Sequence, residues 1–432
     1  MTGEVRPNPQ SVSHSTQKKS LRLDSVKSFL TQLLIPLSLL ETTLLHTKFE
    51  LESLRRFVSE QVIPTSRVCD KSGDFPLETY QALHKMGWIQ AFIPEKFGGL
   101  GARTTDMAFI YREIAYGSGG VFSSCVVNLL ALSPIILYAS PKLAEKLCLE
   151  FQNEFSLFSY AMTEPNTGSN ISKLQTRAKR VKGGYILNGA KCFITNAGYS
   201  KHLVTFARIE GSDPDKPSIT GFYLPANSPG VTRGAHLDKM GQKDSNTGEL
   251  YFENVFVPEE NRIGEEGQGL RIAFHCLQRS KAMIAAAGVG TCSRASDLVI
   301  EYLHQRELYS EPLIELPGIQ HQLARMHVEL RASWLLTCDA ASSWDSGQFS
   351  VLESSVAKLF SARTTVNFIS QALELFGGYG YSKEFEIEKL YRDAKIFEIY
   401  EGPTLVQEQL VFRELFLRGK EKSSRSSEKK AA

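Results

Sequence analysis

Twice along this 432-residue chain the spacing of apolar residues changes, and that double change limits the folds open to it. Before about residue 158, apolar residues recur every three or four positions, as on one helix face. Examples are Val26, Leu30, Leu33 and Leu34; Phe49, Leu51, Leu54, Phe57 and Val58; and Leu77, Tyr80, Leu83 and Met86. Pro64 is expected to end the second of these runs, and Gly87 the third. Further helical patterns span 107–116 and 121–138, and Pro141 opens another. From Phe158 to about Gly264 the pattern becomes short and alternating: Tyr185–Leu187, Lys191–Thr195, Leu203–Ala207, Thr220–Leu224 and Leu250–Val257, separated by Gly, Asn, Asp and Pro. Strands spaced by turn residues, without helices between them, predict an antiparallel β domain. After Gly264-Glu-Glu-Gly-Gln-Gly269 the helical spacing returns in long runs, about 270–306, 317–347, 350–376, 383–396 and 403–418, which read as a helical bundle. The expected fold class is α+β and multidomain. It has a partly disordered extension (1–45), a helical domain (46–158), a central antiparallel β domain (159–263), a helical bundle (264–418) and a solvated tail (419–432).

Charge and cysteine usage exclude several classes. A formal net charge of +2 produces no field suited to nucleic acid. The seven cysteines form no CxxC pair, so neither a zinc site nor a disulfide framework is expected. No apolar run is expected to reach the roughly 18 residues needed to span a bilayer. Residues 1–23 carry Arg6, Lys18, Lys19 and Arg22 against Glu4, with several serines. That composition suits a bacterial cytoplasmic protein with a disordered start, or a transit peptide for the mitochondrial matrix.

Common cofactor and hydrolase signatures are missing: no G-x-G-x-x-G, P-loop, G-x-S-x-G or H-E-x-x-H occurs. Three segments are open to more than one reading. Glu401 stands between Tyr400 and Gly402. A carboxylate beside apolar bulk gains a raised pKa and suits a general base for a weakly acidic C–H, and the same residue also reads as a helix-end carboxylate before a Gly-Pro stop. The run Tyr160–Asn170 offers the hydroxyls of Thr163, Thr167 and Ser169 and the backbone of Gly168, as a cofactor cradle or an ordinary loop. Phe193 and Thr195 share a strand face, able to pack a flat ring and bond its edge, or simply to fill a core.

Taken in order, these segments resemble the acyl-CoA dehydrogenase family from about Phe49 to Leu417. The resemblance rests on Gly87-Trp88, Pro94-Glu-Lys-Phe-Gly-Gly-Leu-Gly101, Met162-Thr-Glu-Pro165 with Gly168-Ser169, and Asn188-Gly-Ala-Lys191 with Ile194-Thr-Asn196. It continues in Lys239-Met-Gly241, Phe252–Pro258, Gly377-Gly-Tyr-Gly-Tyr381, Arg392–Ile396 and Tyr400-Glu-Gly402. The resemblance implies a helical domain, a β domain and a C-terminal four-helix bundle, with FAD held without a nucleotide-binding glycine fingerprint. It implies an α,β-dehydrogenation of an acyl thioester, Glu401 taking the α-proton and the β-hydrogen leaving as hydride to flavin N5. Tyr160, Met162, Thr163, Gly168, Ser169, Phe193, Ile194, Thr195, Pro403 and Thr404 are implied to contact FAD. Arg306, Tyr309, Gln320, Glu374, Leu375, Gly377 and Gly378 are implied to do so, the first three toward a neighbouring subunit's FAD. Ser169, Gln278, Lys281, Tyr400, Gly402 and Arg413 are implied on the substrate. The partners implied are an acyl-CoA or acyl-carrier thioester, electron-transfer flavoprotein as acceptor, and a homotetramer or homodimer, with no metal.

Four positions depart from the family pattern. Lys281 and Gln278 replace an Arg and an Asp near the CoA moiety, keeping one charge but losing the planar fork. Glu374 replaces a Gln, setting a carboxylate where the FAD pyrophosphate is expected. Pro403 replaces a Thr, and Phe193 a Trp. Ser280 stands where some subfamilies carry their base, which leaves Glu401 as the base expected here.

Overall fold

The computed structural model describes residues 49–213 and 218–417, so the expectations for residues 1–45 and 419–432 lie outside it. The N-terminal helices are α1 (Glu52–Phe57), α2 (Ile63–Ser72), α3 (Leu77–Lys85), α4 (Thr104–Gly117), α5 (Gly119–Tyr138) and α6 (Pro141–Asn153). Contrary to expectation, Pro64 does not end a helix. A π-helical turn, Val58–Val62, precedes it and places the proline in the first turn of α2, where its missing N–H costs nothing. The chain leaves α2 only at Gly73, left-handed at φ 79°.

Helix α5 corrects a second expectation. Its 20 residues carry no charge, and an 18-residue stretch of it has a mean hydropathy of 2.0, so the helix is long and apolar enough to span a bilayer. In this fold 89% of that stretch is buried, between the other N-terminal helices, the bundle and the sheet. The apolar run is accounted for as the core of the helical domain.

The β domain comprises β1 (Phe158–Ala161), β2 (Arg177–Val181), β3 (Gly184–Thr195), β4 (His202–Ile209), β5 (Ile219–Pro225), β6 (Val231–His236), β7 (Thr247–Pro258) and β8 (Arg262–Ile263). Their order is β6-β7-β3-β2-β4-β5-β8, with β1 alongside β4. Most pairings are antiparallel, as expected, but β4 pairs in parallel with both β1 and β2. Leu187, Leu203, Phe222, Leu250, Val255 and Val257 fill its core, each removal from water stabilising the fold by about 1.5–3 kcal/mol.

The bundle contains α7 (Gly269–Gln305), α8 (Pro317–Asp345), α9 (Val351–Leu375), α10 (Ile387–Ala394) and α11 (Thr404–Phe412). Its centre is the small-residue run Ala285–Gly290 of α7. A Cβ on Gly288 would run into Thr365 and Ser361 of α9, and one on Gly290 into the Arg112 backbone of α4. Only glycine permits both approaches.

A polar seam ties the domains together. Asp244 accepts from Ser66 of α2 at 2.6 Å and from Ser118, ahead of α5, at 2.5 Å. Two residues away, the Gln242 N–H donates to Asp393 of α10, which also accepts from Lys389 at 2.5 Å. Arg392 of α10 forks onto Asp70 at 2.6 and 2.8 Å. The segment that leads from α10 to Glu401 is therefore anchored from two sides.

Candidate active site

After α10 the chain makes a 3-10 turn, Lys395–Glu398, and then two successive left-handed residues, Glu401 at φ 51° and Gly402 at φ 91°. The left-handed form costs a non-glycine residue roughly 1–2 kcal/mol. Three hydrogen bonds hold it. Lys358 of α9 donates to the Gly402 carbonyl at 2.8 Å, and Gln407 of α11 donates to the same carbonyl at 2.9 Å and to that of Glu401 at 3.4 Å. The backbone N–H of Glu401 has no acceptor among the described residues. Its carboxylate lies against α7, where the Ser280 hydroxyl donates to Oε2 at 2.6 Å.

Burial is the largest influence on Glu401 and pushes its pKa up to about 7, against the Ser280 hydrogen bond and the charges of Lys358 and Lys281. The two lysines move oppositely. Burial takes Lys281 down to about 7 and Lys358 down to about 8, each partly restored by Glu401. Lys358 and Gln407 escaped sequence reasoning, as did Ser280 in the role of hydrogen-bond partner. Their spacing from Glu401 carries no local signal, because the contacts arise from packing of separate helices.

The turn after β1 follows Tyr160, a β1 residue within electrostatic reach of Glu401. Buried Glu164 accepts from Gln175 N–H at 2.6 Å, Thr176 N–H at 3.0 Å and Lys191 at 2.8 Å. Burial opposes ionisation of Glu164, but Lys191 and these donors hold its carboxyl below the usual range. Lys191, fully buried and pushed down to about 8, also donates to the carbonyls of Met162 and Phe206. Thr163 O accepts from Cys192 N–H at 2.9 Å, fastening the turn to β3. Gly168 and Ser169 lie exposed at its tip. The Tyr160 hydroxyl is buried without a partner, within electrostatic reach of Glu401.

A β-bulge between Lys191 and Ile194 aims Phe193 outward. Phe193 is left-handed at φ 57° and 67% exposed, whereas Ile194 is buried and Thr195 half-buried. The bulge, rather than simple alternation, presents the ring.

The remaining predicted residues fall into separate groups. Gln278 and Lys281 are buried and satisfied within the bundle. Gln278 Oε1 accepts from Lys281 at 3.0 Å and Ser354 at 2.6 Å, its Nε2 donates to Phe274 O at 2.5 Å, and Lys281 also donates to Ser355 at 3.2 Å. Tyr400 packs edge-on against Phe397. Pro403 caps the start of α11, ahead of Thr404. Arg413, exposed and 3.6 Å from Glu414, contributes to the lowered pKa of Lys281.

Arg306, Glu374, Leu375, Gly377 and Gly378 line an open pocket of about 490 Å³ at the end of α7 and α9. None of the groups around Glu401 lines it. The Arg306 guanidinium lies 5.9 Å from the Tyr379 ring. Tyr309 is 91% exposed on a nearby hairpin, and Gln320 donates to Ile314 O at 3.1 Å. No cluster able to hold a metal ion occurs among the described residues.

A near-neutral carboxylate beside a free backbone N–H can remove a proton from carbon and stabilise the oxygen anion that results. Family models match in chain order: Acyl-CoA dehydrogenase, N-terminal domain, over residues 48–151; the middle domain over 159–255; and the C-terminal domain over 267–416. The chain is 33% identical over 359 residues to a 3-(aryl)acrylate reductase of Clostridium sporogenes (strain ATCC 15579), covering 83% of this chain and 95% of that one. It is 32% identical over 363 residues to an acyl-CoA dehydrogenase of Bacillus subtilis (strain 168), covering 84% and 96%. The structure of butyryl-CoA dehydrogenase from Megasphaera elsdenii superposes with a TM-score of 0.80 at 32% identity, covering 85% and 100%.

Proposed function

We propose that this chain, which belongs to the acyl-CoA dehydrogenase family, interconverts a saturated acyl thioester and its 2-enoyl thioester, with Glu401 as the base at the α-carbon. The carrying observation is the Glu401 carboxylate, near-neutral in pKa and held at 2.6 Å by Ser280 beside its own unbonded N–H. The family's cofactor is FAD, and the residues present fit it. The exposed Phe193 ring would take a flat face, and the buried Tyr160 hydroxyl lacks a partner that a ligand would supply. The turn Met162–Ser169, braced by Glu164 and Lys191, would hold the same group together with Thr195 and Thr404.

When bound, FAD supplies the acceptor for two electrons and the second hydrogen. Glu401 takes the α-proton, and its N–H stabilises negative charge on the thioester oxygen as the C–H bond breaks. The double bond forms as the β-hydrogen leaves with its bonding pair. Protonated Glu401 returns the proton in the opposite direction, so the same site serves reduction, the activity named for the Clostridium relative. Electron-transfer flavoprotein is the proposed exchange partner. The open pocket at Arg306 is the proposed place where a second copy of this chain offers its cofactor, making the enzyme a homo-oligomer.

Anaerobic titration of the flavin band with butyryl-, octanoyl- and palmitoyl-CoA tests the reading. Bleaching by at least one, lost in Glu401→Gln while FAD stays bound, is expected. Full bleaching in Glu401→Gln would overturn the assignment of the base.

A further inference from the structure

We propose that Ser280 is a positioning residue for Glu401: its hydroxyl pins Oε2 to α7 and leaves Oε1 as the oxygen that accepts the proton. This rests on the reading of Glu401 as base. Ser280 is fully buried in the middle of α7, where a serine gains nothing from helix propensity. Its hydroxyl has one proton to donate and two acceptors within reach, Glu401 Oε2 at 2.6 Å and Leu277 O at 3.2 Å. The shorter, charged acceptor is the stronger. The bond spans 121 residues of sequence and joins α7 to the turn ahead of α11.

A carboxylate has two oxygens, and a base works from one. An oxygen that already accepts a strong hydrogen bond is the poorer proton acceptor. Oε1 has no partner among the described residues, so the unengaged oxygen is the reactive one. The same hydrogen bond stabilises the charged form and offsets part of the burial that would keep Glu401 protonated at neutral pH. The other groups around the carboxylate are Lys281 on α7, Lys358 on α9, and Tyr160 and Tyr400 with raised hydroxyl pKa values. Arg413 and Glu398 act one step removed, through Lys281 and Lys358. Among the described residues, the Ser280 hydroxyl alone hydrogen-bonds the Glu401 carboxylate.

The test uses the FAD-loaded enzyme without substrate. Difference infrared spectra against Glu401→Gln isolate the carboxyl band of Glu401 across pH. Ser280→Ala removes one oxygen atom from a small side chain. It is expected to raise the protonation midpoint of Glu401 by about one pH unit, and Ser280→Thr to restore it. An unchanged midpoint in Ser280→Ala, or equal shifts in Ala and Thr, overturns the role of Ser280. Turnover in Glu401→Gln would instead overturn the assignment of the base, whatever the infrared midpoint does, so the two failures are distinct.

Discussion

The Lys358 ammonium donates to the carbonyl of Gly402 at 2.8 Å, so a buried lysine on one bundle helix sets the backbone next to the proposed base. Lys358 is fully buried, and its charge also favours ionised Glu401. Lys358→Met is expected to lower kcat about tenfold, by loosening a left-handed turn and by raising the Glu401 pKa. A kcat-against-pH profile checks both effects. A uniform loss with no displacement along pH would leave only the structural one.

With Glu401 near 7, turnover should rise as pH rises through neutrality, because the base works deprotonated. Lys281→Met removes a positive charge that favours the carboxylate, so the rising limb should move to higher pH. Stability carries the same signature. A carboxyl raised from 4.5 to about 7 on folding stabilises fully below about pH 4.5, and that contribution is lost as pH rises through 7. Glu401→Gln should therefore flatten the fall in melting temperature between those values.

Glu164→Gln breaks the buried pair with Lys191 and takes a charged acceptor from two backbone N–H groups. Leaving the other charge buried and unpaired costs about 3–5 kcal/mol. Urea denaturation should show the loss as a lower midpoint. A change under about 1 kcal/mol would mean that the pair does not brace the turn.

Phe193 is left-handed and mostly exposed, an unfavourable place for a ring unless a ligand covers it. Phe193→Gly relieves the strain and removes the ring. The flavin-free protein should melt at a higher temperature, while dialysis should strip flavin faster than from the parent. Faster loss without stabilisation would show that the bulge is held by its neighbours at no cost.

Periodicity alone read the order helices, strands, helices, and did so because apolar spacing reports directly which face of an element is buried. The long bundle helices and the strands around Leu187, Leu203, Phe222 and Leu250 were legible for that reason. Chemistry-bearing positions such as Glu401 came from residue type and from family resemblance, not from spacing. Elsewhere the local rules were overridden. Pro64 entered a helix through a π turn, β4 acquired parallel partners, and an uncharged 20-residue helix was enclosed by its own fold. Tertiary structure decided what surrounds the carboxylate. Ser280 and Lys281 come from α7, Lys358 from α9 and Gln407 from α11, and only the packing of these three helices brings them within reach. A hydrogen bond acts over about 3 Å and leaves no imprint on residues 121 positions apart. The sequence by itself determined which segment carries an acid between Tyr400 and Gly402. The pKa of that acid, and the oxygen left free to react, followed from the fold.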